Sequence, residues 1–155
     1  MYSRILVALD GQPFSSRALH DAVEIALLAD AAITAVSVVE HYVSMSDVVA
    51  GIQEEKTFRS LARENASLVL SDAQEYFTRF GARGSTVLED AFGEPVADVI
   101  VRLAVRLDAE LIAMGTHGRA GIGRLLLGSV AESVLRQTKV PLLLVKSFRD
   151  VPAQP

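Results

Sequence analysis

The chain of 155 residues contains no cysteine. A disulfide framework and a thiolate-held metal are therefore both excluded. Its three histidines, His20, His41 and His117, lie far apart and show no ligand spacing such as HExxH. Basic charge is in short supply: 15 Lys and Arg stand against 19 Asp and Glu, a net charge of −4 with a pI near 5.3. Nucleic-acid binders show the opposite balance, so no nucleic-acid partner is expected. No uncharged apolar run approaches the length of a membrane span, so no membrane partner is expected either. The first apolar stretch, residues 5–9, stops at Asp10 and is too short for a secretory leader, which makes the cytoplasm the expected address.

What is present is apolar. Half the residues are hydrophobic and mean hydropathy is +0.33, so disorder is excluded for the bulk of the chain. The length suits one domain able to bury a real core. The expected division is a single domain over residues 1–147 and a loose C-terminal tail over 148–155.

Short apolar runs alternate with helical periodicity. Residues 4–9 read as a buried strand ending at the turn signal Asp10-Gly11. A helix is expected over 15–29, with Ala18, Ala22, Ile25 and Ala29 on its inner face, and a β-branched strand over 32–39. Residues 40–53 read as irregular. A long helix over 54–80 places Ala62, Ala66, Val69, Ala73, Tyr76 and Phe80 on one stripe and stops at Gly81. Then follow a strand at 85–88, a helix with Val96, Ile100, Leu103 and Leu107 inward, a strand at 111–114, a helix at 129–137 and a strand at 140–145. Such alternation implies an α/β fold: one doubly wound, Rossmann-like domain with a parallel sheet and helices on both faces. Ligands of these sheets sit beyond the carboxyl ends of the strands, where the strand order switches, so Asp10 and Met114-Gly115 mark the place to look.

Five of the ten glycines fall in Gly115-Thr-His-Gly118-Arg-Ala-Gly121-Ile-Gly123-Arg-Leu-Leu-Leu-Gly128-Ser129. Glycines after a strand let the backbone approach a ligand closely, and their N–H groups can hold an anion. The helix starting near Ser129 adds its free N–H groups, and Arg119 and Arg124 bring guanidinium groups suited to phosphate. A purely structural alternative exists, because Ser129-Val-Ala-Glu132 also reads as a capping box. His117 reads as exposed or bonded within the loop. The segment is neither a Walker A loop, having no Gly-Lys-Ser/Thr, nor the GxGxxG fingerprint.

The spacing Gly115-x2-Gly118-x9-Gly128-Ser129 resembles the Gly-x2-Gly-x9-Gly-Ser/Thr signature of the nucleotide-binding branch of the universal stress protein family. The likeness spans nearly the whole chain, from Ile5-Leu-Val-Ala-Leu-Asp10-Gly11 to Val140-Pro-Leu-Leu-Leu-Val145. One departure is Gln12, where the family often has serine after Asp-Gly. The resemblance implies a five-stranded sheet in the order 3-2-1-4-5 and an adenine nucleotide, ATP or ADP or AMP, as ligand. It implies that Asp10 takes the ribose hydroxyls, with the Ala8 backbone lining the pocket, and that Val38 holds the adenine through its backbone. Met114 would flank sugar and base. Gly115, Gly118, Gly128, Ser129 and Val130 would bind the phosphates, with Arg119 as the basic residue beside them. From the residues alone Asp10 serves equally well as a turn residue, and it could help hold Mg2+.

The resemblance also implies a homodimer through the last strand, residues 140–145 between Val140 and Val145. A run as apolar as Pro141-Leu-Leu-Leu-Val145 is hazardous as a bare edge. Phosphoryl transfer needs a metal clamp and a group that positions the nucleophile. The loop contains no carboxylate, and the next one after it is Glu132. The expectation is therefore a nucleotide-dependent regulator of the stress response. A slow ATP hydrolase or phosphoryl-transfer enzyme is the alternative, and a stress protein that binds no nucleotide is the third.

Overall fold

A computed structural model describes residues 1–40, 52–117 and 127–146, without the side chains of 52–58. The element order is β1 (Arg4–Ala8), α1 (Pro13–Ala29), β2 (Ala32–Val39), α2 (Ile52–Phe80), β3 (Arg83–Asp90), α3 (Val96–Arg106), β4 (Leu111–Gly115), α4 (Ser129–Gln137) and β5 (Leu142–Val145). All strand pairings are parallel, and the sheet runs β3-β2-β1-β4-β5, as expected. The expected tail over 148–155, and most of the stretch read as irregular, lie outside the described residues. No helix among the described residues is long and apolar enough to cross a membrane.

Strand character follows position in the sheet. β1 and β4 are central and covered on both sides, so Ile5-Leu6-Val7 and Leu111-Ile112-Ala113-Met114 are continuously apolar and buried. Their side chains still alternate between two cores. Ile5, Val7, Leu111 and Ala113 pack with α1 and α2, while Leu6, Ile112 and Met114 pack with α3 and α4. The edge strand β3 buries none of its residues, yet it pairs with β2 from Ala32↔Arg83 to Val39↔Asp90. Its pairing is main-chain, which is why polar residues at both ends hid half its length from the expected 85–88. At the other edge, the expected start at Val140 is wrong. The Val140 N–H donates to Thr138 Oγ1 at 3.0 Å, and Pro141 has no N–H to give a ladder.

The helices begin and end by recognisable devices. α1 starts two residues before the expected Ser15, because Pro13 has its φ preset for a first turn and the Gln12 carbonyl accepts the N–H groups of Ser15 and Ser16. It ends with Asp30 in the left-handed region, while the Ala31 N–H bonds back to the Ala26 carbonyl at 2.8 Å. Its inner face is Ser15, Ala18, Leu19, Ala22, Val23 and Ala26, so Ile25 and Ala29 sit at its margin. In α3, Ile100 and Leu103 are buried as expected, whereas Val96 and Leu107 only flank the core.

The inner stripe of α2 is also rotated from expectation. Ala66, Leu70, Ala73 and Phe77 are buried, while Phe80 is 46% exposed. Phe77 wins because β3 offers it a recess: a Cβ built on Gly84 would lie 2.0 Å from Phe77 Cδ2 and 2.2 Å from Cγ. A glycine inside a strand marks such a close approach. The variant G84A is therefore expected to lose about 1–3 kcal/mol of stability, read as a lower urea midpoint at unchanged m-value. A midpoint equal to wild type would refute the packing of Phe77 over Gly84.

Candidate functional site

The sheet order places the candidate site. From β1 the chain winds outward through β2 to β3, then returns across the sheet to β4 on the other side of β1. The carboxyl ends of β1 and β4 are thus adjacent and leave the sheet toward opposite faces, opening the crevice typical of doubly wound folds. Ala8 and Met114 pair across it. Ala8, Val38, Met114 and Val130 all pack on the α3–α4 side of the sheet, so four of the residues singled out from sequence share one core cluster. Gly118 and Arg119 lie outside the described residues.

The turn after β1 is held by its own side chains. Asp10 Oδ1 accepts the Gln12 N–H at 2.9 Å across Gly11, whose φ of +77° favours glycine. Ser15 Oγ accepts the Asp10 N–H at 3.3 Å and donates to the Gln12 carbonyl at 2.9 Å. Asp10 therefore performs the turn role that the sequence allowed, at the mouth of the crevice.

Gly115 closes β4 for a steric reason. A Cβ there would stand 2.7 Å from Phe14 Cβ and 2.9 Å from the Phe14 carbonyl carbon, so its lack of a side chain lets the first turn of α1 seat against the strand. Next, the Thr116 N–H donates to the Val145 carbonyl at 3.0 Å, and the Thr116 carbonyl accepts the Gly128 N–H at 2.7 Å. That second bond pins the two ends of the glycine-rich segment together, which brings the start of α4 to the end of β4.

The capping box expected at Ser129 does not form. Gly128 is the N-cap, in extended conformation, and its carbonyl accepts the Glu132 N–H at 2.9 Å. Ser129 is consequently already helical, no side chain caps the helix, and the Glu132 carboxylate turns instead to Arg136 at 2.7 Å. The register moved by one residue because the Gly128 N–H is engaged by Thr116, fixing Gly128 as the entry point. Among the described residues, the Ser129 hydroxyl and the N–H groups of Ser129 and Val130 have no hydrogen-bond partner. A helix start with free donors and its positive dipole end suits an anion.

Two further residues complete this corner. Thr116 is buried, and its Oγ1 lies 2.9 Å from His117 Nδ1. The His117 ring, half-buried and bonded to its neighbour as one expectation had it, packs tilted against Phe14 at 5.3 Å between centroids. Sequence reading passed over Phe14 and Thr116. Thr116 occupies a variable position of the glycine pattern, and nothing in the periodicity of α1 tied Phe14 to β4.

This topology and crevice define a doubly wound α/β protein with an anion-suited helix start at its switch point. The universal stress protein family model matches residues 1–146, and the chain belongs to that family. A putative universal stress protein of Staphylococcus haemolyticus is 33% identical over 147 residues, covering 94% of this chain and 86% of that protein. The crystal structure of a universal stress protein family member from Burkholderia pseudomallei superposes with a TM-score of 0.78 at 36% identity, covering 94% of this chain and 97% of that one. The structure of the Archaeoglobus fulgidus universal stress protein in complex with dAMP is similar at TM-score 0.66 and 25% identity, covering 94% and 98%.

The contact between Gly115 and Phe14 yields a prediction. G115A should force apart β4 and the first turn of α1, lowering stability by about 1–3 kcal/mol. Thermal melting reads this out, and a melting temperature at or above that of wild type would show that the seat has room to spare.

Proposed function

We propose that this protein binds an adenine nucleotide, ATP or ADP or AMP, at the carboxyl ends of β1 and β4 and acts as a nucleotide-dependent regulator of the stress response in the cytoplasm. The observation that carries the reading is the uncapped start of α4, whose free donors at Ser129 and Val130 stand beside the β1–β4 crevice. The dAMP complex of the Archaeoglobus relative supports the ligand class. The spacing Gly115-x2-Gly118-x9-Gly128-Ser129 supports assignment to the nucleotide-binding branch.

In this reading Gly118, Ser129 and Val130 present N–H groups to the phosphates, with Arg119 adding charge; the Gly128 N–H, expected from sequence to join them, is held instead by the Thr116 carbonyl. Asp10 offers its carboxylate to the ribose hydroxyls and is the group that could share a Mg2+ ion. Ala8, Val38 and Met114 flank base and sugar from the α3–α4 side. Gly115 contributes main chain only, because its side-chain position is filled by Phe14.

Calorimetric titration with ATP, ADP and AMP tests the reading. Wild type should bind at least one of them, and G118V and G128V should each lose roughly tenfold or more in affinity. The Gly128 backbone, at φ −62° and ψ 150°, is open to valine, and an unchanged melting temperature in G128V separates a loss of approach from a loss of fold. Unchanged affinity in both variants would place the nucleotide elsewhere.

The proposed homodimer uses the other end of the sheet. β5 is an edge strand whose Leu142, Leu143 and Leu144 are only half-buried, and a groove of about 320 Å3 beside it is lined by Arg17, Asp21, Leu143 and Lys146. Pairing β5 with its copy would cover this apolar edge. Sedimentation should give twice the 16.6 kDa chain mass. A single species at the chain mass across micromolar concentrations would rule out the pairing.

A further inference from the structure

Helix α1 packs on the side of the sheet opposite the α3–α4 cluster, and its surface carries a second gathering of polar groups. Leu19, Ala22, Val23 and Ala26 anchor the helix in the core. His20 and Asp21 therefore fall at its margin and Glu24 on its outer face. His20 and Glu24 stand one turn apart, which makes them neighbours on the helix surface. The His20 Nδ1 lies 3.5 Å from Asp21 Oδ1 and 3.8 Å from Glu24 Oε1, and one ligand atom from each residue comes within 4.8 Å of the others. Tyr76 of α2 packs tilted against the imidazole at 6.4 Å between centroids.

Hydrogen bonding and charge leave this cluster incomplete. The His20 side chain is 44% exposed, yet its Nδ1 atom is buried and has no hydrogen-bond partner among the described residues. Both carboxylate contacts are too long for a hydrogen bond from a ring N–H. A proton on Nδ1 would draw one carboxylate closer, so Nδ1 offers a lone pair beside two carboxylate oxygens. Acceptors gathered in this way repel one another unless a cation stands among them. Arg17 supplies one positive charge, 2.9 Å from Asp21 Oδ1, which balances Asp21 and leaves Glu24 with the imidazole. The Tyr76 hydroxyl registers the same field: burial first, and Glu24 next, hold its pKa above the ordinary tyrosine value.

We propose that His20, Asp21 and Glu24 form a binding site for a divalent ion of the zinc class. An imidazole nitrogen with two carboxylate oxygens suits zinc and its transition-metal neighbours, whereas magnesium and calcium prefer oxygen alone. Zinc bonds of ~2.0–2.2 Å set the ligand atoms of a tetrahedral shell roughly 3.3–3.6 Å apart, so the observed spacing needs only small side-chain rotations. Asp21 has a second oxygen to offer while Oδ1 keeps Arg17. Three protein ligands leave a fourth position open to water. The chain has no cysteine to draw such an ion away. The proposal does not rest on the nucleotide reading, because α1 packs across the sheet from Ala8, Val38, Met114 and Val130.

Calorimetric titration of the chelator-treated, nucleotide-free chain with Zn2+ tests the site, comparing wild type with H20A and E24Q. Wild type should take one Zn2+ with micromolar or tighter affinity, and each variant should lose roughly tenfold or more. The substituted side chains lie at the helix surface, so melting temperatures without zinc should agree. Added Zn2+ should raise the melting temperature of wild type through linkage and leave that of H20A where it was. Mg2+ in roughly hundredfold excess should displace none of the zinc. Wild-type affinity in H20A would place the ion elsewhere, at His41 or His117 for example, and overturn the proposal. Displacement by Mg2+ would reduce the cluster to a general attraction of cations to carboxylates and overturn it equally. Failure of wild type to bind Zn2+ would end it outright, with the nucleotide reading untouched.

Discussion

The hydrogen bond from the Gly128 N–H to the Thr116 carbonyl, 2.7 Å long, governs the local architecture on which the site depends. It joins the residue after β4 to the residue before α4 and so brings the two ends of the glycine-rich segment together. By engaging the Gly128 N–H it also makes Gly128 the helix entry. Ser129 then falls one position inside the helix and cannot cap it. The free N–H groups at the start of α4 are those that any helix leaves without an intrahelical partner, and here no side chain caps them. The sheet supplies the other half: β1 and β4 are paired neighbours whose connections leave on opposite faces, so those donors arrive at a crevice and not at a flat edge.

The glycines of this chain answer to different demands. Gly84 and Gly115 are small because an aromatic neighbour occupies the place of their side chains: Phe77 in one case, Phe14 in the other. Gly11 adopts a left-handed backbone in the turn closed by Asp10. Gly128 adopts a backbone open to any residue, so no left-handed turn requires a glycine there. The glycine spacing thus includes at least one packing requirement, at Gly115, which only the neighbour of that position reveals.

Charge plays a modest part by comparison. The described ion pairs are exposed or partly so, such as Arg136 with Glu132 and Arg106 with Glu89, and contribute little to stability each. The fold is held by two apolar layers on either side of one sheet, and the polar chemistry of interest gathers where those layers end.

Much was legible in the residues alone. Apolar runs alternating with helical periodicity determined the order of elements and the doubly wound class, because strands buried on both faces must be continuously apolar and a parallel sheet needs helical crossovers. The glycine spacing after the fourth strand marked the family and a candidate site. Tertiary structure decided what periodicity leaves degenerate. A helical stripe fixes a face only to within a neighbouring residue, so Phe77 displaced Phe80 once Gly84 offered a recess. Ser129 and Glu132 have the spacing of a capping box, but a hydrogen bond from a residue distant in sequence shifted the helix entry and sent Glu132 to Arg136. Thr116, His117 and Phe14 form one contact chain only because α1 seats on Gly115, a contact across about a hundred residues that no local pattern encodes.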